Sequence, residues 1–157
     1  LGASGITSGT GPGEFSPDDN VTRAQMAAFL WRYRGEPAGA PNAGFSDVPA
    51  GLYYTEAVNW LYEQRITTGV GGNRYGPNGN VTRAQMAAFL WRLEGSAGGS
   101  PPSGFSDVPA GLYYTEAVNW LYEQRITTGV GGNRYGPNGN VTRGQMATFL
   151  WRLAGTP

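Results

Sequence analysis

Three arginines, Arg23, Arg83 and Arg143, recur at a spacing of sixty residues, each directly after a threonine: Thr22, Thr82 and Thr142. Each falls at the first position of a helix whose start is written into the residues around it, beside backbone N–H groups that a helix leaves unsatisfied. A guanidinium and a helix N-terminus together favour an anion, and the planar fork of arginine suits a carboxylate. The same residues admit a second reading, in which Arg83 pairs with an acidic side chain such as Asp47 or Glu56 and only holds the repeats together.

Other chemistries find less support. The eleven basic side chains are all Arg, and with no Lys, His or Cys the Schiff-base amine, the imidazole base and the thiol nucleophile are missing. Asp47 with Glu56 could be drawn as the carboxylate pair of a glycoside hydrolase, but Asp47 is better read as a turn former, and the duplicated sequence would require a duplicated active site. Gly69-Val70-Gly71-Gly72 lacks the Gly-Lys-Ser/Thr that a phosphate loop needs. Without His, Cys or a dense carboxylate cluster, no metal site or cofactor is expected. The sequons beginning at Asn20, Asn80 and Asn140 use threonines that already have a helix-capping role. Eleven acidic residues balance the arginines, so nothing draws the chain broadly to nucleic acid or to an anionic membrane. No run of about eighteen apolar residues is present and no leader is visible, which predicts neither membrane insertion nor a signal peptide within these residues.

The element that positions each arginine is a helix. Thr82 at the N-cap can accept from the Gln85 backbone N–H while the Gln85 side chain reaches back to the Thr82 N–H, a capping box, with Val81 and Met86 as a hydrophobic staple. Met86, Phe89, Leu90 and Leu93 then fall at helical spacing toward a core, and Gly95 stops the helix. The same pattern predicts a helix over residues 22–34. An earlier helix is expected over 54–64, recurring at 114–124, with Tyr54, Ala57, Val58 and Leu61 on one face and Tyr53, Glu56, Trp60 and Gln64 toward another, so that Tyr53, Tyr54 and Trp60 lean toward a packed rather than a solvent-facing role. The extended lead-in Phe45-Ser46-Asp47-Val48-Pro49 precedes it, where Pro49 biases Val48 away from helix and Asp47 can bond the following turn. Between the helices, residues 66–79 carry too many glycines to stay helical and enough β-formers for a minimal pairing.

The sixty-residue register holds over the whole chain, aligning Leu1 with Leu61 and Leu121; residues 45–91 and 105–151 differ only where Ala84 becomes Gly144 and Ala88 becomes Thr148. This is a repeat protein. Residues 1–44 read as the C-terminal half of a first repeat plus a linker, 45–104 as a second repeat plus a linker, and 105–157 as a third, with the Gly/Pro-rich segments 35–44 and 95–104 as surface connections. In the first copy Glu14 stands where Arg74 and Arg134 occupy the loop tips, so sites built from these loops are not all equivalent.

Four of these segments, in order and at a fixed period, resemble the S-layer homology domain. Phe45-Ser46-Asp47-Val48, Gly5-Ile6-Thr7-Ser8-Gly9, Phe15-Ser16-Pro17 and Val21-Thr22-Arg23-Ala24-Gln25 are similar to its Phe-x-Asp-Val, Gly-Ile-x-x-Gly, Phe-x-Pro and Ile-Thr-Arg-Ala-Glu motifs. The resemblance implies a mainly α fold of helix–loop–helix repeats around a shared core, a pseudo-threefold spindle with minimal β structure. It also implies grooves that bind an acidic, often pyruvylated, cell-wall polysaccharide and tether a secreted protein to the bacterial surface. Carried over motif by motif, the glycan site would take Arg23, Arg83 and Arg143 with the lead-in residues Asp47 and Asp107. Tyr54 and Tyr114 stand where the family usually opens its first helix with Trp, and Arg74 and Arg134 at the loop tips complete the candidates. Gln25, Gln85 and Gln145 replace the usual Glu, keeping the capping box with one charge fewer. The resulting expectation is a non-catalytic anchoring module. The competing one is a self-assembling unit that docks on neighbouring chains through its incomplete first repeat, and a glycan hydrolase comes third.

Overall fold

The computed structural model describes residues 18–155, so the expectations for the first loop, Glu14 and the motifs before residue 18 lie outside the described residues. The protein is mainly helical: α1 (Arg23–Tyr33), α2 (Thr55–Glu63), α3 (Arg83–Leu93), α4 (Thr115–Glu123) and α5 (Arg143–Leu153). Two compact units divide the described chain, one of residues 18–81 with 142–144, the other of 82–141 with 145–155.

In the first unit α1 packs on α2, and in the second α3 packs on α4. The long helices begin as their residues dictate. Thr22 and Thr82 are extended N-caps whose hydroxyls accept from Gln25 N–H (3.2 Å) and Gln85 N–H (3.1 Å), while the Gln25 and Gln85 Oε1 atoms accept from Thr22 N–H (3.0 Å) and Thr82 N–H (3.1 Å). Both staple residues, Val81 and Met86, are fully buried. At the other end Gly95 takes a left-handed φ of 97°, and the Ser96 N–H closes back on the Trp91 carbonyl, satisfying groups the last turn leaves open.

The shorter helices start and stop differently. Tyr54 caps α2 without a side-chain bond; instead Thr55 Oγ1 accepts from Leu52 N–H (3.0 Å) and donates to the Pro49 carbonyl (2.7 Å). At the C-terminus Arg65 N–H reaches the Tyr62 carbonyl and Ile66 N–H the Leu61 carbonyl, the paired closure of a Schellman motif. Ile66 and Leu61 are both buried, supplying the apolar contact that accompanies it. Arg65 sits there at φ 61°, as does Arg125 in the second unit, a position glycine would fill without steric cost.

Segments 35–44 and 95–104 are held rather than loose. The Trp31 indole N–H donates to the Pro37 carbonyl (2.9 Å) and Asn59 Oδ1 accepts from Ala43 N–H (3.0 Å). Trp91 to Ala97 (2.9 Å) and Asn119 to Ser103 (3.0 Å) repeat the pattern. Each segment therefore connects two helices that pack on one another and is stapled to both. Among the described residues β structure is limited to isolated bridges, including Gly71 with Arg74 across a two-residue turn in which Gly72 (φ 61°) and Asn73 (φ 58°) are both left-handed. Thr22 with Asn80 in the first unit and Thr82 with Asn140 in the second join the cap segments to the loops that follow α2 and α4.

Thr82→Ala is expected to cost about 0.5–2 kcal/mol, and Thr82→Ser much less; equal melting temperatures would contradict the cap. Arg65→Gly is expected to stabilise by roughly 0.5–1 kcal/mol, the relief of a left-handed non-glycine residue less the extra unfolded-state entropy of glycine, and chemical denaturation would read it.

Candidate functional site

The site is assembled from the lead-in, the loop and the start of a long helix. Asp47 accepts from two successive backbone N–H groups of the loop, Oδ1 from Tyr75 (2.8 Å) and Oδ2 from Gly76 (2.9 Å). Its neighbour Ser46 donates through both N–H (2.9 Å) and Oγ (3.2 Å) to the Asn73 carbonyl, and Asn73 Nδ2 returns a bond to the Gly44 carbonyl (3.0 Å). The Phe45 ring lies at 5.9 Å from Tyr75 and edge-on to Tyr62 at 5.4 Å. A Cβ at Gly69 would collide with both that ring and the Arg74 carbonyl, so the loop closes only with glycine there.

The loop so held cradles the start of α1. The fully buried Tyr75 donates its hydroxyl to the Arg23 carbonyl (2.7 Å). Arg23 N–H donates to the Gly79 carbonyl and Ala24 N–H to the Pro77 carbonyl, both at 2.9 Å, so two donors that a helix start leaves open are answered by the loop. The Arg23 guanidinium rests over the same loop, with a long bond of 3.4 Å to the Gly76 carbonyl. In the second unit Asp107 holds Tyr135 and Gly136 (2.8 and 2.9 Å), Tyr135 donates to the Arg83 carbonyl (2.9 Å), Arg83 N–H donates to the Gly139 carbonyl (2.8 Å), and its guanidinium reaches Gly136 (3.5 Å).

Each lead-in Asp thus acts on the arginine that precedes it in the chain, Asp47 on Arg23 and Asp107 on Arg83. Among the described residues the Arg83 side chain is seen bonded to the Gly136 carbonyl of its own unit and to no carboxylate. Nor does the Asp47 side chain serve mainly the turn that follows it: its two long-range bonds span 28 and 29 residues. Desolvation pushes the Asp47 carboxyl up, but the N–H groups of Tyr75 and Gly76 and the charge of Arg74 outweigh it and hold it below the ordinary aspartate range; Asp107 behaves alike with Tyr135, Gly136 and Arg134. The exposed Arg74 and Arg134 sit at the ends of the two-residue turns, acting on these carboxylates through charge.

Arg143 differs. It is buried, its backbone N–H donates to the Asp19 carbonyl (2.8 Å), and its guanidinium lies 5.4 Å over the Phe29 ring. Burial pulls this guanidinium below its ordinary range while Asp19 and Tyr53 pull the other way.

Tyr54 is half-buried at the start of α2, as Tyr114 is at α4, but Tyr53 is 59% exposed, edge-on to Tyr54 at 5.1 Å. Tyr113 repeats this against Tyr114 at 5.1 Å. The reading of Tyr53 as packed fails because it precedes the helix cap, where helical periodicity no longer decides which way a side chain faces. Trp60, inside the helix, is buried as periodicity requires. Desolvation and Tyr54 push the Tyr53 hydroxyl up while Arg32 and Arg143 pull it down, so an exposed aromatic face lies within the field of two arginines in the first unit. Its adjacency to Tyr54 was the only sequence signal for it. The arrangement offers guanidinium groups on helix starts and exposed tyrosine rings, a chemistry of anion and sugar recognition.

Compared with known proteins, residues 3–27, 44–87 and 104–147 fit the pattern of the S-layer homology domain. The chain is 34% identical over 121 residues to a cell surface protein of Thermoanaerobacter kivui, covering 74% of this chain and 16% of that protein. It is 32% identical over 161 residues to an endoglucanase of Bacillus sp. (strain KSM-635), covering 95% and 17%. It is 27% identical over 150 residues to an S-layer protein of Bacillus thuringiensis subsp. finitimus, covering 93% and 18%. The chain thus spans less than a fifth of the length of these relatives.

Asp47→Asn is expected to destabilise by about 1–3 kcal/mol, since one charge-assisted acceptor becomes a donor facing a backbone N–H. Because the folded carboxyl titrates below its unfolded range, its contribution is complete above that range and is lost as the pH falls through the folded value. The stability gap between parent and variant should therefore close on acidification; a gap independent of pH would count against the clamp.

Proposed function

From the premise that the chain belongs to the S-layer homology family, we propose that it is a non-catalytic module that holds a larger secreted protein at the bacterial cell surface by binding an acidic wall polysaccharide, such as a pyruvylated one. Attachment to the cell surface is the part common to the family. Recognition of a polysaccharide carboxylate is our reading of the site.

One observation carries it. The guanidinium groups of Arg23 and Arg83 sit at helix starts with a single long bond each to a loop carbonyl and no carboxylate partner among the described residues. Such a fork keeps donors for a ligand carboxylate, with the helix N-terminus adding to the attraction. Asp47 and Asp107 serve as positioning residues, since their oxygens already accept from the loop. Tyr54 and Tyr114, with the exposed Tyr53 and Tyr113, offer ring faces for sugar, and Arg74 and Arg134 add positive charge at the rim. A segment shared by proteins named as an S-layer protein and as an endoglucanase fits a role common to both, attachment rather than hydrolysis.

Sedimentation with purified wall polysaccharide tests this. Each Arg→Gln at positions 23 and 83 is expected to weaken binding about ten- to a hundredfold, the equivalent of a charge-assisted hydrogen bond of about 1.5–3 kcal/mol, with little change in melting temperature. Added salt should weaken the parent more than the double variant. Undiminished binding by a folded double variant would move the site elsewhere, and release of reducing ends would make the chain a hydrolase.

A further inference from the structure

The three arginines do not rest on equivalent ground. The backbone N–H of each donates to the carbonyl of a loop residue, and these acceptors occupy one repeat position: Gly79 for Arg23, Gly139 for Arg83, Asp19 for Arg143. A Cβ placed on Gly79 or Gly139 would run into Nη1 of the arginine above it. Neither glycine has a left-handed φ, so nothing in the backbone demands glycine there. The arginine does.

At the third position the acceptor carries a Cβ and a carboxylate. There Arg143 is 4% exposed with its guanidinium over the Phe29 ring, whereas Arg23 and Arg83 are only half-buried. Building on the polysaccharide-binding reading above, we propose that the residue at this position decides whether an arginine site is open, and that Asp19 closes the one at Arg143, leaving ligand carboxylates to Arg23 and Arg83. The chain then holds two working anion sites and one arginine turned to an internal role. Asp19 acts twice, its Cβ by standing at the position where Gly79 and Gly139 leave room for Nη1, and its charge by answering the guanidinium in place of a ligand.

The geometric part is testable without any glycan. Modification of the intact chain by p-hydroxyphenylglyoxal, read by peptide mass spectrometry, should label Arg23 and Arg83 readily and Arg143 slowly. Asp19→Ala, which keeps the Cβ and removes the charge, should leave Arg143 slow. Asp19→Gly should bring it to the rate of Arg23. Gly139→Ala makes the reciprocal change, and because the atom it meets is the end of a flexible side chain, the variant should fold with Arg83 displaced. Titration with fragments of purified wall polysaccharide should then find one more fragment bound per chain for Asp19→Gly and one fewer for Gly139→Ala. Fast labelling of Arg143 in the parent, or release by Asp19→Ala equal to that by Asp19→Gly, overturns the proposal whatever the binding data. The expected labelling with no polysaccharide bound by any variant overturns the reading of the ligand and leaves the closing of the Arg143 seat by Asp19 supported.

Discussion

The structure depends on one carboxylate in each unit. Asp47 takes two consecutive loop N–H groups that no strand or helix would otherwise satisfy, and an unsatisfied pair of that kind costs several kcal/mol when water is excluded. With those bonds made, Tyr75 is carried into the interior, where its hydroxyl must find an acceptor and finds the carbonyl of Arg23. The loop then meets the first turn of α1 at three points, through Tyr75, Pro77 and Gly79. A residue that resembles part of a binding site is therefore first of all the clamp that sets where Arg23 stands.

The same economy governs the helix starts. Thr22 and Thr82 satisfy one N–H through the capping box, and the loop carbonyls satisfy the two before it. A helix start so completely bonded through its backbone leaves the arginine side chain as the group with donors to spare.

Near-identical sequence does not make identical sites. Residues 45–91 and 105–151 are almost the same, yet the arginine that opens α5 rests on a loop from the first copy, and that copy is the divergent one. A repeat protein places every site at a junction between segments distant in sequence, so each site inherits the differences of both contributors.

Much of this architecture was legible from the residues. The helices over 22–34 and 54–64 emerge as Arg23–Tyr33 and Thr55–Glu63 between their caps, and the family was recognisable from four motifs in order. These features depend on interactions spanning three or four residues, which composition and spacing encode directly. What only the tertiary structure decided was partnership: that Asp47 serves Arg23, that Gly/Pro segments read as surface connections are stapled by Trp31 and Asn59, that Tyr53 faces solvent, and that Asp19 lies beneath Arg143. Contacts 28 to 53 residues apart arise when whole helices pack, and the pattern of apolar residues specifies that a face is buried without specifying what covers it.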